Sequence, residues 1–357
     1  MNAKRIAVDL AKTVFQVAES TQPGKVSRRL RLSRPAFERY LAEQEGPVEW
    51  VMEACGTAHH WGRVIQGRGQ AVRLLPAHQV AAYRLRTKTD RNDADALLEA
   101  DRNEKIRPVP VKPLDLQQVQ KLHALRETWK KTRTARINLL RGILRELGVN
   151  VPTKKDEFLK AAPELVELPQ VAALAPQLHM ILAEITQAEE WMADVEARLA
   201  EWHRDDEVVA KLDEVTGIGL LTASAFRAAV VSPERFSNGR KLSAWLGTTP
   251  NEHSSGERRR VGRMSGKGDT YVRTLLIHGA RSALLAAARR ARTAPAALTP
   301  LQRWSLETAA RIGHNKAAVA LANKMVRICW ALWKHQRRFS GDYRSVRPDL
   351  AGLAAVA

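Results

Sequence analysis

The sequence predicts an α/β region followed by two largely all-α regions. Short β-prone runs alternate with helical stretches up to about residue 105, whereas apolar residues recur at helical spacing from residue 114 onward. Pro108, Pro110 and Pro113 lie between these two patterns and are typical of a linker. We therefore expect domains at residues 1–107, 108–205 and 206–338, with a loosely ordered tail at residues 339–357.

The first region begins with β-strands. Residues 6–10 and 14–18 are β-prone and are separated by three residues, which is typical of a hairpin, and residues 26–32 are a third candidate strand. Ser33 is a candidate N-cap for a helix at 35–44. Strands and helices then alternate, and this order predicts a mixed sheet covered by helices. The later elements are a strand at 48–54, a helix at 57–66, a strand at 71–75 and a helix that starts near Asp90.

The second region is predicted to contain two long helices that pair along an apolar seam. Residues 114–150 carry eight Lys/Arg against three Asp/Glu, whereas residues 156–205 carry three against eleven. Opposite charge favours antiparallel pairing of the two helices, either within one chain or between subunits. The coiled-coil spacing leads us to expect dimerisation through the seam, and a helical hairpin packed on its own chain is the alternative. The seam consists of Val171, Leu174, Leu178, Ile181, Ile185, Ala188, Met192, Val195, Leu199 and Trp202.

The third region is mostly helical and strongly basic. Residues 216–219 (TGIG) form a Gly-rich turn between two helical stretches, a pattern of the helix-hairpin-helix type. Residues 254–292 carry ten Lys/Arg against two Asp/Glu. A final helix is predicted at about 308–335.

The amino-acid composition indicates what kind of molecule the protein binds. The 357 residues carry 58 Lys/Arg against 38 Asp/Glu, a formal net charge of +20. An excess of this size indicates a polyanionic partner, of which nucleic acid is the commonest. The basic residues are not gathered on one amphipathic segment, no apolar run approaches the ~18 residues of a membrane-spanning helix, and no signal peptide is evident, so we expect no membrane partner. Two cysteines are too few for a disulfide framework, and we expect a cytoplasmic protein.

Four carboxylates of the first region are candidates for a metal site. Asp9 lies within a predicted strand, where a carboxylate is costly to bury unless it is paired or metal-bound. Glu53 ends another strand, and Asp90 and Asp93 share one face at the start of a helix. Converging at the carboxyl ends of strands, they would form an oxygen-rich site for Mg²⁺ of the kind that serves phosphoryl transfer. The alternative for Asp90 and Asp93 is a helix start favoured by the dipole, and Asp95 is expected to point off their face.

Two elements of the third region suit phosphate. Gly217 and Gly219 would expose backbone N–H groups at a helix start, although a tight turn between helices needs glycine equally. Ser254 and Ser255 precede Gly256 and a run of arginines, which predicts either a flexible phosphate-binding loop or a nucleophile with guanidinium groups beside it. The candidate phosphate ligands downstream are Arg258, Arg259, Arg260, Arg263, Lys267 and Arg273.

Three sequence blocks of the first region resemble one family. Residues 8–12 (VDLAK), 52–56 (MEACG) and 88–94 (KTDRNDA) are similar to the RuvC-like domain of bacterial insertion-sequence 110 family transposases, relatives of the Piv DNA invertase. The resemblance implies an RNase H-like fold with a DEDD tetrad. By it, the tetrad that binds Mg²⁺, or Mn²⁺ as a substitute, would be Asp9, Glu53, Asp90 and Asp93.

The third region is similar to the same family's carboxyl-terminal transposase domain. The similar segments are residues 246–256 (LGTTPNEHSSG), 267–273 (KGDTYVR) and 313–324 (GHNKAAVALANK), with Thr248 as a departure from the usual Leu or Val. In the family a serine that directly precedes glycine becomes covalently joined to DNA. The resemblance therefore implies Ser255 as the nucleophile, with Ser254 as the fallback.

The leading hypothesis is a DNA transposase that cleaves and rejoins strands through a phosphoserine intermediate. The resemblance implies donor and target DNA and a structured noncoding guide RNA (a bridge RNA) as partners. Recombining two duplexes requires at least a dimer, so we expect a homodimer or homotetramer. One alternative is a Holliday-junction-type nuclease in which water attacks and Ser255 only binds phosphate. The other is a nucleic-acid-binding protein without catalysis, against which the intact carboxylate set argues.

Overall fold

A computed structural model describes residues 4–22, 25–83, 90–256, 258, 260–265 and 268–342, with the side chains of residues 90–92 outside that description. The chain forms two units, Met1–Asp115 and Leu116–Ala357. The predicted linker prolines lie just before the boundary. The predicted regions 108–205 and 206–338 fall largely together in the second unit.

The first unit is built on a five-stranded mixed sheet. The strand order is β3-β2-β1-β4-β5, with β1, β4 and β5 mutually parallel and with β2 and β3 antiparallel to their neighbours. The predicted amino-terminal hairpin and the mixed sheet are thereby confirmed. The strands are β1 (Lys4–Leu10), β2 (Val14–Ser20), β3 (Arg28–Ser33), β4 (Val48–Glu53) and β5 (Ala71–Leu75).

Helices cover both faces of this sheet. On one face, Val8 and Trp50 pack with Phe37 and Trp61 of two helices, and four aromatic rings meet edge-to-face at 4.9–6.0 Å. On the other face, Ala7 and Val51 pack under a third helix. Ser33 caps the first helix as predicted, because its hydroxyl accepts a hydrogen bond from the N–H of Ala36. The helices are α1 (Arg34–Ala42), α2 (Ala58–Gly67), α3 (Ala77–Val80) and α4 (Asp90–Asp101).

The second unit opens with two long antiparallel helices, α5 (Leu114–Glu146) and α7 (Ala175–Trp202), joined through α6 (Lys155–Leu165). Ion pairs between the two helices show this antiparallel direction, because successive arginines along α5 pair with glutamates progressively earlier in α7. Arg126 pairs with Glu196 at 2.6 Å, and Arg133 with Glu189 at 3.3 Å. Arg136 pairs with Glu184 one turn further on. The predicted charge complementarity is therefore satisfied within one chain.

Most of the apolar seam is also covered by its own chain, although Leu174 and Trp202 are exposed. Leu178 and Ile185 are buried in one cluster with Ile137, Leu140 and Leu144 of α5. This arrangement corrects the expectation that these seam residues mediate dimerisation, because side chains already buried in one chain cannot offer the same surface to another. The oligomeric state itself stays a prediction.

In the described part of the second unit, six further α-helices and one β-hairpin follow. The predicted final helix at 308–335 is in fact two helices, because Gly313 adopts φ +84° between them. A two-stranded hairpin, absent from the sequence prediction, lies where a loop was expected. The elements are α8 (Glu207–Asp213), α9 (Leu220–Val230), α10 (Gly239–Trp245), β6 (Pro250–Glu252), β7 (Val261–Met264), α11 (Thr270–Thr293), α12 (Pro300–Ile312) and α13 (His314–Lys334).

In the described part of the chain, no single helix has the length and apolar character needed to cross a membrane. One pair of helices joined by an 86° bend, Lys155–Leu165 and Pro169–Trp202, meets that test only when the two are taken together.

Candidate functional site

Two of the predicted carboxylates lie side by side at one edge of the sheet. The parallel register pairs Val8 of β1 with Met52 of β4, so the next positions along both strands are Asp9 and Glu53. Side chains alternate between the faces of a sheet, so Asp9 shares the face of Ala7, and Glu53 that of Val51. That face is the one covered by α4.

Helix α4 runs antiparallel to β1 across this face. Asp101 at its carboxyl end pairs with Arg5 at 3.2 Å and with Arg73 at 2.9 Å, next to the beginning of the parallel strands. Eight residues of helix rise about 12 Å, and four residues of strand about 13 Å. A path of this length would bring Asp93, which is buried, towards the end of the strands that carries Asp9.

The pKa of Cys55 also indicates that Asp9 and Glu53 lie close together. Burial raises the pKa of the Cys55 thiol, and the carboxylates of Glu53 and Asp9 raise it further. Both carboxylates therefore act on one point just beyond the end of β4. In the described side chains, no group of three or more His, Cys, Asp and Glu residues is placed to hold a metal ion. Asp9, Glu53 and Asp93 are all described, so these three carboxylates do not by themselves form such a group. The side chain of Asp90 lies outside that description, and the four-carboxylate site stays a prediction.

Asp95 is not part of this group. It forms a bidentate ion pair with Arg29 of β3, in which Nε and Nη2 of Arg29 donate to the two carboxylate oxygens at 3.1 and 2.9 Å. This pairing agrees with the prediction that Asp95 points off the face of Asp93. Asp9 and Glu53, which lie side by side at the strand ends, offer carboxylate oxygens, and in chemical kind these fit a hard divalent cation.

The candidate nucleophiles lie at the tip of the β6–β7 hairpin. Pro250 faces Met264 in the ladder, and the N–H of His253 donates to the carbonyl of Arg260 at 2.9 Å. Ser255 and Arg258 then close the turn through two backbone bonds of 3.3 and 3.2 Å. We call β6, β7 and the turn that carries Ser255 the serine hairpin.

The two serines differ in how their hydroxyls are used. The Ser254 hydroxyl donates to Glu252 Oε1 at 2.9 Å and accepts from the N–H of Arg260 at 3.2 Å. Ser255 contributes its backbone to the turn and is exposed, and Gly256 beside it has φ +57°. The hairpin therefore uses the Ser254 side chain for its own structure and presents the Ser255 side chain to solvent.

The predicted phosphate ligands divide into three groups. Arg258, Arg260 and Arg263 are exposed along the serine hairpin. Arg259 and Lys267 lie outside the described residues. The placement of Arg273 corrects its prediction, because its side chain is buried and Nη1 donates to the carbonyl of Leu246 at 3.2 Å. A guanidinium held inside the fold by a backbone oxygen is a structural group rather than a surface ligand.

The Gly-rich turn is a close contact between helices. Gly217 has φ +89°, and a Cβ there would lie 2.6 Å from the carbonyl oxygen of Gly279 in α11. Gly219 is the N-cap of α9. Packing thus accounts for Gly217, whereas a Cβ at Gly219 would meet nothing closer than 4.0 Å. Phosphate binding at this turn stays a prediction.

Sequence reasoning missed a buried polar chain in the second unit. The Ser224 hydroxyl lies 3.0 Å from His123 Nε2 and 2.9 Å from His203 Nε2, and His123 Nδ1 lies 3.1 Å from the Tyr271 hydroxyl. Burial, the largest cause, and the nearby Arg126 lower the pKa of His123 to about 4. The only sequence signal is that polar residues interrupt otherwise apolar helix faces.

Two family models match the chain. A DEDD transposase model of the IS110 type matches residues 6–149, and the model described as "Transposase IS116/IS110/IS902 family" matches residues 209–296. A probable family 20 transposase of Pseudomonas aeruginosa is 38% identical over 339 residues, which cover 93% of this chain and 97% of that protein. The transposase for insertion sequence element IS1111A of Coxiella burnetii is 36% identical, covering 94% and 91%.

The chain belongs to the IS110 family of transposases. A more distant relative, the transposase for IS1328 of Yersinia enterocolitica, is 27% identical over 95% of the chain and 99% of that protein. The resemblance predicted from the motif blocks is thereby confirmed. Membership makes this transposase a DNA-processing enzyme, and its DEDD domain indicates dependence on a divalent metal.

Proposed function

We propose that this transposase cleaves and rejoins DNA through a covalent bond between Ser255 and a strand end. The observation that carries the proposal is the exposed Ser255–Gly256 tip with Arg258 and Arg260 on the same hairpin. Glycine leaves room for a phosphate to approach, and guanidinium groups stabilise the charge that develops on a pentacovalent phosphorus.

The proposed reaction exchanges one phosphoester bond for another, so the free energy of the phosphodiester bond is conserved. The Ser255 oxygen attacks phosphorus and gives up its proton, a P–Oγ bond forms, and the bond from phosphorus to one deoxyribose oxygen breaks. That oxygen leaves as a hydroxyl after taking up a proton. Attack by a hydroxyl of another strand reverses these events, releases Ser255 and joins the new strand.

The carboxylates would hold the divalent metal that the DEDD class implies. Asp9, Glu53, Asp90 and Asp93 are the proposed ligands, with Mg²⁺ as the cation and Mn²⁺ as a substitute. A bound divalent cation supplies charge neutralisation at the phosphate oxygens. The four carboxylates would hold the cation from three segments of the first unit, namely β1, β4 and the start of α4.

The partners are proposed on charge and family grounds. A net charge of +20 is suited to holding long polyanions. We assign donor and target DNA, a structured noncoding guide RNA and a second copy of the chain as partners, with the cytoplasm as the site of action. A dimer or tetramer suits a reaction that recombines two duplexes.

A second candidate is a metal-dependent nuclease of the junction-resolving type. It is favoured by the placement of Asp9, Glu53 and Asp93 in the first unit, because such a metal site would be complete without the serine hairpin. In that case water attacks the phosphorus, and Ser255 only binds phosphate.

A suicide substrate separates the two candidates. Gapped DNA that carries the end of the insertion sequence, with RNA transcribed from its flank, would trap any enzyme–DNA adduct, and mass spectrometry would identify the linked residue. We expect a boiling-stable adduct on Ser255 that is lost in S255A. The matched variant S254A should retain it at reduced yield, because Ser254 supports the turn. Cleavage without an adduct would favour the nuclease, and an adduct on Ser254 would move the role by one residue.

A further inference from the structure

The serine hairpin is too small to fix its own orientation. It is a separate two-stranded sheet whose strands have three and four residues, and its residues are mostly exposed. An isolated two-stranded hairpin is marginally stable in water. Its orientation must therefore come from the contacts at its base, where residues 246–249 enter and Gly268 follows.

The entering segment is held by buried hydrogen bonds from α11 and α13. Arg273 Nη1 donates to the carbonyl of Leu246 at 3.2 Å, and Asn323 Nδ2 donates to the carbonyl of Thr248 at 3.3 Å. The Thr248 hydroxyl in turn donates to the carbonyl of Ser243 at 2.9 Å. Leu246, Thr248 and Ser243 are all buried, so these bonds are shielded from water.

The returning segment is held at the same place. Gly268 has φ +82°, and a Cβ there would lie 2.1 Å from the carbonyl oxygen of Trp245, so the two chain segments touch directly. Asp269 accepts a hydrogen bond from the N–H of Val272 and begins α11, which carries Arg273 one turn later. Both ends of the hairpin are thus fixed within a few residues of one another.

Because Ser255 lies far from the base of the serine hairpin, a small change in the orientation of the base moves Ser255 a long way. Ser255 lies seven residues beyond Thr248, a span of about 20 Å when the chain is extended. A rotation of about 10° at the base would move Ser255 by roughly 3.5 Å, which is comparable with the whole distance between reacting atoms in a productive complex.

We infer that Arg273 and Asn323 are positioning residues that aim Ser255 by fixing the base of the serine hairpin. They act through the backbone of residues 246–248 and touch no reacting atom. The inference rests on the proposed role of Ser255, and it predicts that loss of either donor slows the covalent step and leaves DNA affinity unchanged.

The structural half of the test is hydrogen exchange on the full chain. The N–H groups of His253 and Ser265 are hydrogen-bonded within the hairpin at 2.9 Å each. We expect R273M and N323D to raise exchange at these amides at least tenfold, with α7 amides unchanged. N323D keeps the size of a half-buried side chain and guards against a folding defect in R273M. The matched control is R281M on the same helix, because Arg281 bonds to Asn315 instead.

The functional half is the rate of adduct formation on saturating gapped DNA. We expect at least a tenfold decrease in R273M and N323D, partial rescue in R273K, and a dissociation constant for DNA within twofold of wild type. Hairpin exchange equal to that of wild type in both variants would overturn the inference. Absence of any adduct in the wild-type protein would instead refute the proposed function, and the exchange rates would still decide the role of the base.

Discussion

Asp93 and Asp95 lie two positions apart on α4 and have different surroundings. Asp93 is buried towards the strand ends, whereas Asp95 pairs with Arg29 at the surface. On β4 the same contrast separates Glu53 from Glu49, which shares its face of the sheet but pairs with Arg5 at the opposite end. Asp93 and Glu53 therefore each have a matched carboxylate that should be dispensable.

We expect D93N and E53Q to abolish DNA cleavage and D95N and E49Q to retain it. A substitution that removes one negative charge from a metal site should lower the cleavage rate by about 10³-fold or more, since such sites supply several kcal/mol to the transition state. The measurement is cleavage of labelled DNA in Mg²⁺, with DNA affinity determined in parallel. Equal rates in D93N and D95N would remove Asp93 from the site.

His123 should make the second unit sensitive to mild acid. Its pKa is lowered to about 4 in the folded protein, whereas it is near 6.5 in an unfolded chain. The unfolded state therefore binds the proton first, and stability is lost as pH falls from about 6.5 towards 4. Between pH 7 and pH 5 the loss is about 2 kcal/mol from this residue.

The check is urea unfolding of wild type and H123Q at both pH values. Glutamine keeps a donor and an acceptor for Ser224 and Tyr271 but does not titrate in this range. The decrease in unfolding free energy should be smaller in H123Q by about 2 kcal/mol. Equal decreases in the two proteins would mean that His123 is protonated without cost.

At the scale of elements, the sequence patterns were most informative where local rules agree. The five strands and the helices α1, α2 and α4 were predictable because β-prone runs, Ser33 as a cap and proline punctuation point the same way, whereas the one-turn helix α3 was not predicted. The serine hairpin was missed because β6 and β7 are too short to show alternation. Arg273 was misassigned because a charge in a sequence does not reveal whether a buried carbonyl will accept its hydrogen bond.

The pairing of α5 with α7 gives a direct test of the seam. Ile185 is buried against α5, and truncation to alanine should lower the unfolding free energy by about 3 kcal/mol through reduced burial and a cavity. Met180 on the same helix is 68% exposed, and its truncation should cost less than about 0.5 kcal/mol. Light scattering should give I185A the same molar mass as wild type. A dissociated I185A with unchanged stability would restore the seam to a role between subunits.

At the scale of the whole molecule, the charge excess should appear as salt dependence. Removing one cation that pairs with a DNA phosphate reduces the steepness of log affinity against log salt by about 0.9. Arg260 is exposed on the serine hairpin, whereas Arg136 is engaged with Glu184. With non-specific duplex DNA as the probe, R260Q should reduce the slope by about one and R136Q should not. Identical slopes would exclude the serine hairpin from the DNA-binding surface.

The ion pairs between α5 and α7 also determine which partners this region rejects. Residues 156–205 have an excess of eight negative charges, and the arginines that offset them belong to α5 of the same chain. Two copies of α7 brought face to face would set glutamate against glutamate, at a repulsive cost that only α5 relieves. The charge pattern thus favours pairing of α7 with α5 of its own chain over self-pairing of α7.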